Sequence, residues 1–361
     1  MTRDDDRTRR IVLLSTGGTI ASRWQGTGYA ADAPGDDVLA TAALPEGIAV
    51  EVVDLFNVNS SRMTTRRQLT LLRTVRETLA DPGVDGIVIT HGTDTLEETA
   101  FLLDLHHDDP RPVVLTGAQR PLGTADGDGP GNLCDALQVA ASVRDLGVLI
   151  VFDGLVHAAR GTVKTKTLAV DAFSDPSERA LGKVGFSQVH VQRRPDRSAP
   201  LPLPPAAYIA EDAPEAAIEP LPRVDIVTHH SDGDPVLLNA AVAAGAQGIV
   251  LVATGAGNAT PEIAVAVADA VARGVLVAVT TRVPAGPVAE IYTGGGAVDL
   301  VQAGAVLTGT LRAGQARIAV LAAVLAASDP ARRAEVLGPL LNGPVRPEPA
   351  LTAAGSRFSA G

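Results

Sequence analysis

Residues 11–22 read IVLLSTGGTIAS. Five apolar or small residues, Ile11 to Ser15, have the signature of a buried strand. The run breaks at Thr16-Gly17-Gly18-Thr19. Glycine tolerates positive φ, so Gly17-Gly18 marks a tight turn. It is not a phosphate-cradling loop, because the lysine of that motif is missing. What needs explaining is a strand that ends by presenting Thr19, and the pattern recurs. Residues 86–95, GIVITHGTDT, form a second β-branched run ending in Gly92-Thr93-Asp94-Thr95.

The spacing around these two segments decides the fold class. Residues 10–15, 49–56, 86–90, 111–117 and 147–154 are predicted strands. Helical periodicity is predicted over 65–80, where Leu69, Leu72, Val75 and Leu79 share a face, and over 95–106 and 130–143. Strands alternating with helices imply βαβ units, a mainly parallel sheet and helices on both faces. Residues 193–222 then hold eight prolines and no sustained period, the composition of a stiff connection. A second alternating set follows: a strand at VDIVTHH, a helix near 234–244, GIVLVAT, a helix near 261–272, GVLVAVTTR and a closing helix near 312–326. The expected architecture is α/β, with two α/β domains of mainly parallel sheets flanked by helices. Residues 1–194 form the larger domain, 195–222 the linker, 223–342 the smaller domain and 343–361 a tail.

Composition bounds the function. The chain has 361 residues and a formal net charge of −11, with 46% hydrophobic but only 3% aromatic residues. Cores must therefore be built from aliphatic side chains. Basic residues are scattered or in pairs, which argues against a nucleic-acid footprint. No apolar h-region long enough for a secretory signal follows the polar N-terminus, and no apolar run reaches the about 18 residues of a transmembrane helix. The single Cys134 excludes an intrachain disulfide framework. A soluble cytoplasmic protein is the economical expectation. Only three residues, Lys164, Lys166 and Lys183, are lysine, and 27 of the 30 basic residues are arginine. Two of the three lysines share GTVKTKT. An ammonium can give up its proton where a guanidinium effectively cannot, so Lys164 is a candidate for proton chemistry.

Ligands of open parallel sheets bind beyond the carboxyl ends of strands. Those ends carry Thr19, then NVNSSRM with Ser60 and Ser61, then Thr93 and Asp94. A threonine hydroxyl needs an adjacent base to attack. Asp94 and Lys164 are candidates beside Thr93, and Tyr29 is the aromatic hydroxyl nearest Thr19 in sequence. The bland alternatives are a Gly-Gly turn for the first segment and a helix N-cap for Thr93, Asp94 or Thr95. Tyr29 also fits a surface hairpin. The stretch between Ser22 and Tyr29 reads as a loop able to cover the site. GAGNAT (255–260) is a near miss to a dinucleotide fingerprint, and no His-Glu-x-x-His or other metal spacing occurs. His106 and His107 close a predicted helix, where the helix dipole favours cations.

LLSTGGTIAS and VITHGTDTLEETA, with TGAQRP (116–121), DGDGPGN (126–132), GTVKTKT, SRM and ATGAGN, resemble the signature segments of the bacterial-type L-asparaginases over about residues 10–330. The resemblance implies hydrolysis of the side-chain amide of asparagine without a cofactor. It also implies a homotetramer, a dimer of dimers in which each site is completed by a neighbour's second domain. Thr19 would be the nucleophile, activated with Tyr29 in a mobile lid. Thr93, Asp94 and Lys164 would form a second, charge-coupled group. Ser60 would hold the substrate α-carboxylate and Asp94 its α-amino group. Many members have Gln where this chain has Ser61, which removes a long amide arm. Glu290 is the candidate carboxylate, and Asn258 the candidate amide, reaching into the neighbouring site.

Competing expectations stay in the same class or leave it. Glutamine, or an amide on a larger carrier such as transfer RNA, is an alternative substrate, and net acidity counts against the carrier. A nucleotide-binding regulatory protein would read GAGNAT or STGG instead. A catalytically dead binding protein would have no need of Thr19, Tyr29, Thr93, Asp94 and Lys164 together.

Overall fold

The computed structural model describes residues 7–186, 188–208 and 220–342. The chain opens with β1 (Arg9–Gly17), a 3-10 turn (Thr19–Ala21), β2 (Ser22–Trp24), β3 (Tyr29–Ala31), α1 (Gly35–Leu39) and β4 (Ile48–Val58). A second 3-10 turn (Ser60–Arg62) leads to α2 (Thr65–Leu79), β5 (Gly86–Thr90), α3 (Leu96–His106), β6 (Val113–Thr116), α4 (Gly129–Ser142) and β7 (Val148–Phe152). Five short strands follow: β8 (Leu155–Ala158), β9 (Val163–Lys164), β10 (Phe173–Ser174), β11 (Gly182–Gly185) and β12 (Gln188–Val191). The second unit comprises β13 (Val224–Thr228), α5 (Val236–Ala243), β14 (Gly248–Ala253), α6 (Pro261–Ala272) and β15 (Leu276–Thr281). It ends with α7 (Ala297–Gln302), β16 (Val306–Leu307), α8 (Ala313–Ala326) and α9 (Pro330–Asn342).

The larger sheet has the order β12-β11-β8-β7-β6-β5-β1-β4. Neighbours from β4 to β7 are parallel, and β8, β11 and β12 extend the sheet antiparallel. The smaller sheet, β13-β14-β15-β16, is parallel throughout. β5, β6, β7, β14 and β15 are buried along their whole lengths. Parallel strands covered on both faces carry unbroken apolar runs rather than alternation, which is why those segments are readable in the sequence.

From β1 the chain crosses to β4 on one side and returns to β5 on the other. The ends of β1 and β5 therefore border a topological switch point, where a crevice opens in doubly wound sheets. One face of the larger sheet packs Ile11, Leu13, Val88 and Val114 against Leu133 and Leu137 of α4. The other packs α2 and α3 in a cluster that continues through Ile318, Val320 and Leu321 of α8 to Val250 and Ala278 of the smaller sheet. α8 lies between the two sheets, and its apolar all-round sequence reflects that burial. Arg160 donates to the carbonyls of Leu340 and Leu341 at the end of α9, a further tie between the units.

Several expectations need correction. The stretch expected as a loop between Ser22 and Tyr29 is loop only at residues 25–28, because Ser22–Trp24 and Tyr29–Ala31 pair as an antiparallel hairpin with Trp24 opposite Tyr29. His106 and His107 are not cations on a helix dipole. Both are buried, burial holds their pKa values below the usual histidine range, and backbone carbonyls of Pro202 and Arg111 engage the rings. The expected linker, 195–222, lies partly outside the described residues. Its described part is tied down, with Leu201 N–H donating to Leu105 O. The expected tail, 343–361, lies outside the described residues.

Candidate active site

The two glycines after β1 have different reasons to be glycine. Gly17 has φ of 96°, and a Cβ there would lie 2.4 Å from Val58 N. Gly18 has φ of 86°, and a Cβ there would lie 2.3 Å from Gly92 Cα. Both conformations strain any L side chain. Bare backbone at Gly18 and Gly92 lets the two threonine loops touch. A Cβ on Gly92 would in turn meet Ser60 Cβ at 2.7 Å, so Ser60 is drawn into the same contact. Thr16 Oγ1 donates to Thr90 O at 2.8 Å and links the ends of β1 and β5.

These contacts leave a cavity of about 350 Å³ lined by Thr19, Tyr29, Ser60, Ser61, Thr93, Asp94 and Gln119, among others. That volume lies in the range of small-ligand sites. Tyr29 is about half exposed, at 51%. Its ring meets Trp24 edge-on, with centroids 5.2 Å apart. Ser60 is buried, accepts the Asp94 N–H at Oγ (3.1 Å) and accepts Thr95 Oγ1–H at its carbonyl (2.9 Å). Thr95 is the N-cap of α3 but makes no side-chain capping bond. Capping therefore does not account for the hydroxyls and carboxylate of GTDT.

Lys164 stands behind Thr93. Its Nζ lies 2.8 Å from Thr93 Oγ1 and 2.8 Å from Asp94 Oδ1. The Lys164 side chain is only 17% exposed while that of Asp94 is 63% exposed, so the ammonium is enclosed and the carboxylate faces the opening. Thr93 Oγ1 can then donate its own proton to Gln119 Oε1 at 3.1 Å. Gln119 Nε2 donates in turn to Ala169 O at 3.2 Å. Asp128 fixes the Gln119 turn by accepting the N–H groups of Gln119 and Arg120, both at 2.9 Å.

His91 is fully buried under the site, and burial lowers its pKa to about 4. Its partners assign the neutral tautomer. Gly92 O can only accept, so Nδ1 carries the hydrogen (2.7 Å), and Nε2 accepts from Thr99 Oγ1 (3.0 Å), which accepts from Gln68 Nε2 (3.0 Å). The Gly18 N–H is committed to Val58 O at 3.0 Å, so Gly18 is not free to donate to a ligand.

The structure brings Thr19, Tyr29, Ser60, Ser61, Thr93, Asp94 and Lys164 to one cleft. It does not bring Asn258 or Glu290 of the same chain there. Asn258 sits in a turn after β14, where Thr254 Oγ1 donates to its carbonyl at 2.9 Å, and its Oδ1 is buried without a partner. Glu290 is exposed. The sequence reading did not name Gln119 as a site residue. Its signal was TGAQRP at the end of a strand, but an amide shows no chemistry until its partners are known. Among the described residues, no group of three or more His, Cys, Asp or Glu side chains could hold a metal ion. Among them, too, no helix is long and apolar enough to cross a membrane.

Two family models match the chain. One, described as asparaginase, N-terminal, covers residues 10–197. The other, the glutaminase/asparaginase C-terminal domain, covers residues 223–337. The chain is 33% identical over 304 residues to an L-asparaginase of Bacillus licheniformis, covering 83% of this chain and 90% of that protein. It is 35% identical over 328 residues to a probable periplasmic L-asparaginase of Haemophilus influenzae, covering 89% and 90%. The crystal structure of a probable cytoplasmic L-asparaginase from Campylobacter jejuni superposes with a TM-score of 0.78 at 30% identity, covering 91% of this chain and 99% of that one. With both units matched and relatives aligned over most of their length, the chain belongs to the bacterial-type L-asparaginase family.

Proposed function

We propose that this chain is an L-asparaginase that hydrolyses the side-chain amide of L-asparagine to L-aspartate and ammonia through a threonine nucleophile. The observation that carries the mechanism is the position of Lys164, whose Nζ is within 2.8 Å of both Thr93 Oγ1 and Asp94 Oδ1, residues that line the same cleft as Thr19.

An unactivated amide needs a nucleophile, a place for developing negative charge and a proton for the departing amine. Thr19 Oγ1 attacks the amide carbon, its proton relayed through the Tyr29 hydroxyl to the departing nitrogen. We assign the oxyanion cradle to backbone N–H groups at Thr19 and Thr93, since the Gly18 N–H is already committed. Collapse releases ammonia and leaves an aspartyl ester on Thr19. Water, activated by the Thr93–Lys164–Asp94 group, hydrolyses the ester and restores the hydroxyl. Ser60 holds the α-carboxylate and Asp94 the α-amino group. The exposed Asp94 carboxylate offers an amino group a solvated partner while the enclosed Lys164 neutralises its charge.

In this reading Asn258 and Glu290 act in a neighbouring subunit's site, within a homotetramer of dimers. We place the protein in the cytoplasm, in keeping with the Campylobacter structure. A glutaminase-asparaginase is the second reading. Ser61 lines the cleft with a short side chain, and that leaves room for a substrate one methylene longer. Ammonia release from Asn and from Gln, compared as kcat/KM, tests both. Preference for Asn supports the proposal, equal values support the second reading, and no release from either overturns both.

A further inference from the structure

Lys164 is the last residue of a two-residue strand outside both main sheets, paired only with Phe173–Ser174. So little regular structure does not explain how its ammonium is held in place. Two side chains supply the missing anchorage. The Glu97 carboxylate, in the first turn of α3, accepts the Lys164 backbone N–H. Glu97 lies three residues beyond Asp94, in the helix that directly follows the Thr93–Asp94 loop, so this bond ties Lys164 to the segment that bears its two partners. Gln315, fully buried in α8 of the second unit, grips the chain just before Lys164. Its Oε1 accepts from Gly161 N at 2.8 Å, and its Nε2 donates to Ala159 O at 2.7 Å and Thr162 O at 3.0 Å. A longer contact, 3.4 Å, runs from the same Nε2 to Glu97 O.

We infer that Glu97 and Gln315 are positioning residues for Lys164, a clasp through which the C-terminal domain sets the alignment of the catalytic ammonium in its own chain's site. Each touches backbone, neither lines the cleft, and both act through the residue they hold. The inference rests on the role given to Lys164 above. It adds that one side chain per domain holds the short strand, so loosening either moves Nζ off the Thr93–Asp94 pair. Misplacement of a reacting group by about 1 Å costs on the order of 100-fold in rate.

The test is steady-state ammonia release from asparagine by the full chain. Gln315→Met and Glu97→Met each lower kcat roughly 10- to 100-fold, with KM within about twofold of wild type. Glu97→Gln keeps an oxygen for the Lys164 N–H and stays within about threefold. In a Lys164→Ala background, Gln315→Met and Glu97→Met cause no further loss, because the group they position is gone. Equal fold-losses with and without Lys164, or wild-type kcat in both methionine variants, overturn the clasp. The two variants lie in different domains, so misfolding of one leaves the other informative, and circular dichroism identifies it. Lys164→Ala alone separates the two levels. Wild-type kcat in that variant removes the role of Lys164 itself, whereas a slow Lys164→Ala beside unaffected methionine variants removes only the clasp.

Discussion

Gly18 and Gly92 meet backbone to backbone, so closely that a methyl group on Gly18 would stand 2.3 Å from Gly92 Cα. The two threonine segments are distant in the chain and adjacent in space because neither carries a side chain at the point of contact. Gly18→Ala adds that methyl group and places an L side chain at φ of 86°. The expected result is a loss of about 1–3 kcal/mol of stability from backbone strain alone, with kcat reduced at least about 100-fold because the cleft must open. Thermal unfolding and ammonia release measure the two effects. A variant with wild-type melting temperature and turnover contradicts the contact.

Lys164→Arg keeps the positive charge but replaces a compact ammonium by a planar guanidinium that does not give up a proton. Turnover of asparagine is expected to fall at least about 1,000-fold with substrate binding retained. Wild-type kcat in this variant reduces Lys164 to an electrostatic prop.

Tyr29 and Trp24 are paired across the β2–β3 hairpin, and Trp24 is the chain's only tryptophan. Binding of aspartate, the reaction product, is expected to shift Trp24 emission if the hairpin closes over the cleft. Tyr29→Phe keeps the ring contact and loses the hydroxyl, so the emission change persists while kcat falls about 100-fold. Unchanged kcat in Tyr29→Phe removes the tyrosine from the chemistry.

Ser61→Gln restores the amide arm that many family members carry. The expected effect is a several-fold lower KM for asparagine with kcat nearly unchanged, of the order of one added hydrogen bond, about 1 kcal/mol. A rise in KM shows that the cleft has no room for the longer side chain.

Burial raises Glu97 from 4.5 to about 7, with Glu98 adding to the rise and the Lys164 N–H and ammonium opposing it. A carboxyl whose folded pKa is raised binds its proton more tightly in the native state. Stability is therefore greatest below about pH 4.5 with respect to this group and declines as pH rises to about 7, by roughly 3 kcal/mol. Glu97→Gln has no proton to lose, so urea unfolding of that variant lacks the decline. Parallel curves for the two proteins between pH 5 and 8 contradict the assignment.

The sequence was legible wherever one signal sufficed. Fully buried strands such as Gly86–Thr90 announce themselves as apolar runs, and Thr64-capped α2 shows helical spacing. Thr19, Thr93 and Asp94 could be placed together because strand ends of a parallel sheet share an edge. The antiparallel extension of β8, β11 and β12 went unread, since strands of four residues with mixed burial carry too little pattern. α1 and α7, of five and six residues, fall below the length at which periodicity can be seen. Gln119 and Gln315 went unread for another reason. Their importance lies in which carbonyls they meet, at 166–169 and 159–162, and no local spacing encodes that.

The nucleophile is tested most directly by the kcat of Thr19→Ala on asparagine, measured on protein that unfolds at the wild-type temperature. The expected value is at least about 1,000-fold below wild type, since the ester cannot form. Turnover within a few-fold of wild type would mean that another group attacks the amide.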